Sequence, residues 1–210
     1  MHYTDYSDET IHKLQELELM ILKDFIAICE KNNIEYFIYG GSALGAGRHG
    51  GFIPWDDDID IIMFRKDYEK FKKVALSEPN NKYNFLTSKT KDYFFLFSKI
   101  MLKNTIFEEW WVNQVDFDLG IDIDIFVLDK YNDKDCECVC DISALHHPQI
   151  YKISDFKPGK TIMFEDVEVH CPNNLDSILT QIYGDYMKLP PESERYNHIT
   201  QKIDFGPYED

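Results

Sequence analysis

A turn of small residues, Tyr39-Gly-Gly-Ser42, is followed sixteen residues after its serine by Asp58-Ile-Asp60. The pattern reads as strand, tight glycine turn, loop and second strand. Side chains on a strand alternate between faces, so Asp58 and Asp60 project together while Ile59, Ile61 and Met63 turn to a core. Two convergent carboxylates repel unless a cation or a proton lies between them. A hard, oxygen-binding ion such as Mg²⁺, or Mn²⁺, meets that need and commonly brings a phosphate with it. The pattern therefore predicts metal-assisted chemistry on a phosphorylated substrate.

A second acidic strand reinforces this. In Ile121–Leu128 the residues Ile121, Ile123 and Ile125 alternate with Asp122 and Asp124. If the two strands are neighbours, three aspartates share one face and can hold two ions, which polarise a phosphoryl group and stabilise a leaving oxygen. The third carboxylate is also suited to take a proton from an attacking hydroxyl. The residues alone leave Asp122 and Asp124 open for that place. One Asp-x-Asp pair by itself is more often a solvated strand face; the glycine turn before it and the later acidic strand reverse that preference. Asp56 and Asp57 enlarge the cluster, either behind the ligands or in solvent.

Composition narrows the partners. The net charge of −16 over 210 residues argues against nucleic acid, whose phosphates need Lys and Arg to displace counterions, and against anionic lipid. A small phosphorylated substrate stays compatible, because a metal supplies positive charge locally. The opening MHYTDYSDET is polar and acidic, unlike a signal peptide, and no apolar run approaches a membrane span. Five cysteines, an odd number, suit a reducing cytoplasm.

The rest of the chain reads as one domain over 1–210, with a core at about 8–191 and a weakly ordered tail, 192–210. Ile11, Leu14, Leu17, Ile21, Leu22, Phe25 and Cys29 recur at helical spacing over 8–31, with Ser7 or Asp8 as N-cap. Strands are expected at Glu35–Tyr39, Asp58–Phe64, Tyr83–Leu86, Tyr93–Leu102 and Ile121–Leu128. A short helix over Ala43–Ala46, starting at Ser42, precedes a breaker-rich loop at 47–55, and Asp67–Leu76 reads as a further helix. Ile162–Val169 reads as a hairpin turning at Glu165-Asp166. Asn174 caps a helix that ends at Tyr183 before Gly184.

The stretch from Gly40 to Asp60, Gly-Gly-Ser-Ala-Leu-Gly-Ala-Gly-Arg-His-Gly-Gly-Phe-Ile-Pro-Trp-Asp-Asp-Asp-Ile-Asp, resembles the LicD family of the nucleotidyltransferase superfamily. Lys103–Glu109, Ile123–Asp129 and Tyr183–Pro191 support the resemblance, which covers most of the chain. It implies an α/β (α+β) fold, a small mixed β-sheet flanked by helices. It places the third acid on Asp124 rather than Asp122, and it sets Gly41 and Ser42 against a donor diphosphate. The last point agrees with the chemistry of a glycine turn entering a helix, whose N–H groups face an anion. The implied activity is Mg²⁺-dependent transfer of a phospho-alcohol such as phosphocholine from a CDP-linked donor to a cell-surface glycan or its precursor. Two departures stand out. Val127 replaces the family's usual proline, and the segment between Lys130 and Phe164 is shorter than usual, which bears on acceptor recognition.

Other residues have two readings each. Arg48 is suited to clamp a phosphate or to pair with an aspartate; His49 to relay a proton or to make a structural hydrogen bond. Lys99 and Lys103 reach the diphosphate or solvent. Trp55, Trp110 and Trp111 form a quaternary-ammonium cage or simply pack. Cys136, Cys138 and Cys140, near His146 and His147, lack zinc-knuckle spacing and read as reduced thiols on an irregular strand. Two alternatives to phospho-alcohol transfer remain: transfer of NMP from an NTP to a small acceptor, and a non-catalytic module that binds a nucleotide or glycan.

Overall fold

The computed structural model describes residues 6–77, 82–90, 97–109, 119–131, 134–140, 149–195, 197 and 200–209. Helix α1, Asp8–Lys31, begins where Ser7 caps it by accepting a hydrogen bond from the N–H of Thr10 at 3.1 Å. Its apolar stripe of Leu14, Leu17, Ile21, Leu22, Phe25 and Cys29 is buried. Strand β1, Phe37–Ile38, leads into α2, Gly40–Arg48. Then come β2, Asp60–Phe64, and α3, Arg65–Ser77. Strands β3, Tyr83–Leu86, β4, Ser98–Leu102, and β5, Ile106–Glu109, follow. The long β6, Asp122–Tyr131, pairs with β7, Lys134–Cys140, which pairs with β8, Ile150–Lys152. Helix α4, Ile153–Phe156, the hairpin β9, Lys160–Phe164, with β10, Val167–Cys171, and α5, Leu175–Tyr183, close the core. Strand β11 is Thr200–Asp204.

The main sheet has the order β1-β2-β6-β4-β3, with β7 and β8 continuing from β6. Among the described residues β2 and β6 run parallel, and the other pairs of this sheet are antiparallel. The α/β expectation of a mixed sheet with flanking helices is what the structure shows. Alternation sorts the faces. Ile59, Ile61 and Met63 of the β2 region and Ile121, Ile123, Ile125 and Val127 of the β6 region enter one core with α1. The opposite parity, Ile62, Phe126 and Leu128, joins Phe37, Tyr39, Tyr151, Phe156 and Ile178 in a second core. Asp60 and Asp124 share that second parity.

Several boundaries differ from expectation. Helix α2 starts two residues early, at Gly40, because Gly40 adopts φ +51°, a conformation that lets the helix begin directly off β1. Strand β2 begins at Asp60 rather than Asp58, although the N–H of Asp124 still bonds the carbonyl of Ile59 at 2.8 Å. Residues 93–96 of the expected strand at Tyr93–Leu102 lie outside the described residues. Strand β7 takes up the cysteine segment that reads as an irregular strand, whereas β8 and α4 have no counterpart in the sequence reading. The tail expected to be weakly ordered contains β11, which pairs antiparallel with β5 and is tied to the N-terminus by Tyr6 Oη and Thr200 Oγ1 at 2.6 Å. Among the described residues no helix is long and apolar enough to cross a membrane.

Candidate active site

The parallel pairing of β2 with β6 sets Asp60 opposite Asp124, and the antiparallel pairing of β4 with β6 sets Lys99 opposite Asp124. One pocket of about 240 Å³ collects Asp57, Asp58, Asp60, Lys99, Asp122 and Asp124 with Glu18 of α1, and is walled by Phe97, Phe107 and Phe126. The acids separated by more than sixty positions in the chain are thus brought to one place. The structure unites Asp58, Asp60, Asp122, Asp124 and Lys99 there.

The Gly-Gly-Ser turn positions Asp60. The hydroxyl of Ser42, itself buried, accepts the N–H of Asp60 at 2.8 Å. The N–H of Gly41 donates to Asp60 Oδ2 at 3.3 Å, so the start of α2 faces a negative charge, as its dipole favours. A side chain here would displace the acids: a Cβ on Gly40 would lie 2.0 Å from Asp60 Oδ2, and one on Gly41 2.8 Å from Asp56 Oδ2.

Lys99 Nζ stands 2.8 Å from Asp122 Oδ1 and 2.8 Å from Asp124 Oδ1, with its side chain 7% exposed. Its first task is to neutralise these two aspartates. One ammonium does not balance six carboxylates. Burial, then the charges of Asp58, Asp124 and Asp56, hold the Asp60 carboxyl well above the usual range; burial does the same to Asp122 against the pull of Lys99. Among the described residues no three acidic, histidine or cysteine groups already surround one point as a finished metal site. The donor set nevertheless fits a hard divalent ion: all oxygen, surplus negative charge, and a pocket with room for ions and water.

The model of the LicD/FKTN/FKRP nucleotidyltransferase domain matches residues 33–174. The chain belongs to this family. Its LicD-family relatives include the lipopolysaccharide cholinephosphotransferase LicD of Haemophilus influenzae, 46% identical over 79 residues, 38% of this chain and 30% of that protein. An uncharacterised protein of Rickettsia prowazekii is 42% identical over 71 residues, 31% of this chain and 27% of that one. The ribitol 5-phosphate transferase FKRP of Homo sapiens is 43% identical over 53 residues, 25% of this chain and 11% of FKRP. The matched stretches thus span less than a third of each relative's length.

The remaining residues of this LicD-family chain sort as follows. Arg48 donates from Nη1 to the carbonyl of Tyr186 at 2.7 Å and from Nε to His49 Nδ1 at 3.4 Å, fastening α2 to the turn after α5. Desolvation and the Arg48 charge lower the His49 ionisation, which keeps the ring neutral at pH 7. Neither side chain lines the pocket of aspartates. Trp55 carries the Arg195 guanidinium 5.2 Å above its ring and meets His49 edge-on, so its face already holds a cation. Trp110, Trp111, His146 and His147 lie outside the described residues. Cys138 and Cys140 are buried in the second core, on β7; the Cys136 side chain is outside the described residues.

Two residues escaped the sequence reading. Tyr183 is 42% exposed as a residue, yet desolvation of its hydroxyl and the charges of Asp60, Asp56 and Asp58 push its ionisation up, leaving a neutral hydroxyl near the acids. Glu18 is 2% exposed. Its signal was present: it lies four residues after Leu14 and four before Leu22, inside the apolar stripe of α1.

Proposed function

We propose that this chain is a divalent-cation-dependent transferase that moves a phospho-alcohol, phosphocholine-like, from a CDP-linked donor to a hydroxyl of a cell-surface glycan or its precursor. The observation that carries the reading is the convergence of Asp58, Asp60 and Asp124 on one pocket beside the start of α2, in a LicD-family chain. The names of the Haemophilus and human relatives support the reaction class.

Asp58, Asp60 and Asp124 would hold Mg²⁺ or Mn²⁺, two ions by the count of acids. The ions supply positive charge to the phosphate oxygens and the leaving group. The donor diphosphate would approach the start of α2, beside Asp60, where Gly41 brings no Cβ and the N–H groups of Gly41 and Ser42 favour an anion. An acceptor hydroxyl attacks the phosphorus bearing the alcohol. A new P–O bond forms to the acceptor, the P–O bond to CMP breaks, and the hydroxyl proton passes to Asp124. Lys99, held against Asp122 and Asp124, keeps that carboxylate oriented. Phe97, Phe107 and Phe126 give the pocket apolar walls against which part of the donor would pack.

The test uses CDP-choline labelled separately in each half, with a glycan acceptor and Mg²⁺. Phosphocholine on the acceptor and free CMP are expected, with turnover reduced at least about a hundredfold in folded Asp60→Asn. Label from the nucleotide on the acceptor, or NMP transfer from CTP with pyrophosphate release, would overturn phospho-alcohol transfer in favour of nucleotidyl transfer. Donor binding with no turnover on any CDP-alcohol would make the chain a binding module.

A further inference from the structure

Glu18 has no part in the chemistry described so far, yet it is a carboxylate only 2% exposed. It sits on the inner face of α1 between Leu14 and Leu22, both fully buried. Its Oε2 has no hydrogen-bond partner among the described residues. It lines the aspartate pocket. One turn earlier on the same helix, Gln15 Nε2 donates to the carbonyl of Asp56 at 2.9 Å and lies 3.4 Å from that of Ile53. That pair of bonds fixes α1 against the acidic loop, so the placement of Glu18 beside the loop's carboxylates is built in.

A lone buried carboxylate costs several kcal/mol, and a helix that merely needed filler at this position would carry Leu or Met. Burial is the largest influence on Glu18, and the acids acting on it through space are, in order, Asp57, Asp58, Asp122 and Asp56. Three of these four line the same pocket. A proton would remove the charge of Glu18 but would leave its neighbours' charges and its orphaned oxygen unanswered. A cation answers all of them together, and an all-oxygen set of carboxylates suits Mg²⁺, Mn²⁺ or Ca²⁺.

We propose that Glu18 is a further ligand to a divalent cation, on the side of the pocket lined by Asp57, Asp58 and Asp122. The inference rests on the cation reading of the proposed function and adds to it a ligand from the first helix, outside the Gly40–Asp60 stretch and the β6 strand. Binding the ion would then also lock α1 onto the sheet edge.

The experiment is a calorimetric Mn²⁺ titration of the whole chain, as wild type, Glu18→Gln, Glu18→Asp and Asp60→Asn, with thermal melts of each. Glu18→Gln is expected to weaken Mn²⁺ binding about 10- to 100-fold or to remove one ion from the stoichiometry. It is also expected to melt higher than wild type without metal and to gain less from Mn²⁺, while Glu18→Asp keeps part of the affinity. A second readout needs no variant: in protein labelled with ¹³C at glutamate carboxyls, Mg²⁺ should shift the Glu18 resonance to an ionised position. Unchanged Mn²⁺ affinity and stoichiometry in Glu18→Gln, or a Glu18 resonance indifferent to Mg²⁺, would overturn the proposal alone, provided wild type binds and Asp60→Asn does not. Failure of wild type to bind any divalent ion would overturn both this and the cation reading.

Discussion

Asp60 and Asp124 face each other in register across the parallel pair of β2 and β6 in the main sheet. Parallel register puts the same ends of both strands together, so two carboxylates from distant segments meet at one edge, where Lys99 Nζ is 2.8 Å from Asp124. Everything catalytic that we propose depends on keeping that pair close despite its repulsion.

Gly40 is the tightest point of this arrangement. Its φ of +51° and the 2.0 Å approach of Asp60 Oδ2 to a notional Cβ leave no space for alanine. Gly40→Ala should cost about 1–3 kcal/mol of stability and displace Asp60. Denaturant unfolding with a parallel Mn²⁺ titration checks both effects; unchanged stability together with unchanged Mn²⁺ affinity would contradict this account.

Ser42→Ala isolates the contribution of the hydroxyl. It removes the acceptor for the N–H of Asp60 and leaves that donor unmatched. A loss of about 1–3 kcal/mol is expected in chemical denaturation, with Gly41 still in place.

Lys99→Met removes the ammonium from between Asp122 and Asp124, where all three side chains are at most 15% exposed. Stripping one partner from a buried ion pair typically costs about 3–5 kcal/mol. The melting temperature of Lys99→Met without metal should fall accordingly, and Mg²⁺ should restore more stability to it than to wild type.

The pH dependence has a definite sign. Asp60, Asp122 and Glu18 all have folded-state ionisations raised above their ordinary carboxylate values, each chiefly by burial. Between the ordinary value and the raised one, the folded state holds more protons than the unfolded state. Stability from these groups is therefore full below their unfolded values, near pH 4, and is lost as pH rises through the raised folded values. Metal-free melts should decline from about pH 5 towards pH 8, and saturating Mg²⁺ should flatten that decline. A metal-free melting temperature that rises across this window would contradict the buried-acid description.

Much of the site was legible because it is written in short-range rules. Alternation put Asp58 and Asp60 on one face and Ile59 and Ile61 on the other, and the structure keeps that alternation even though β2 begins only at Asp60. The cap at Ser7, the turn at Glu165-Asp166 and the stop at Gly184 likewise follow from local hydrogen bonding and from backbone shapes that few residues adopt. The spacing of Glu18 between Leu14 and Leu22 puts it on the apolar stripe, but a glutamate in a helix is ordinarily solvated, and only packing shows that it is buried against the aspartates. For Lys99 the chain alone leaves a choice between diphosphate and solvent, because strand pairing, which places it opposite Asp124, is invisible along the chain.

By itself, the sequence determined helices such as α1, the acidic strand faces and the place of the glycine turn, since each is a matter of near-neighbour sterics and periodicity. Only the tertiary structure decided that β2 lies parallel beside β6, that Lys99 bridges Asp122 and Asp124, and that α1 adds a buried carboxylate to their pocket. Those outcomes depend on which distant surfaces bury against one another, and that choice is made by the whole core at once rather than by any one segment of the chain.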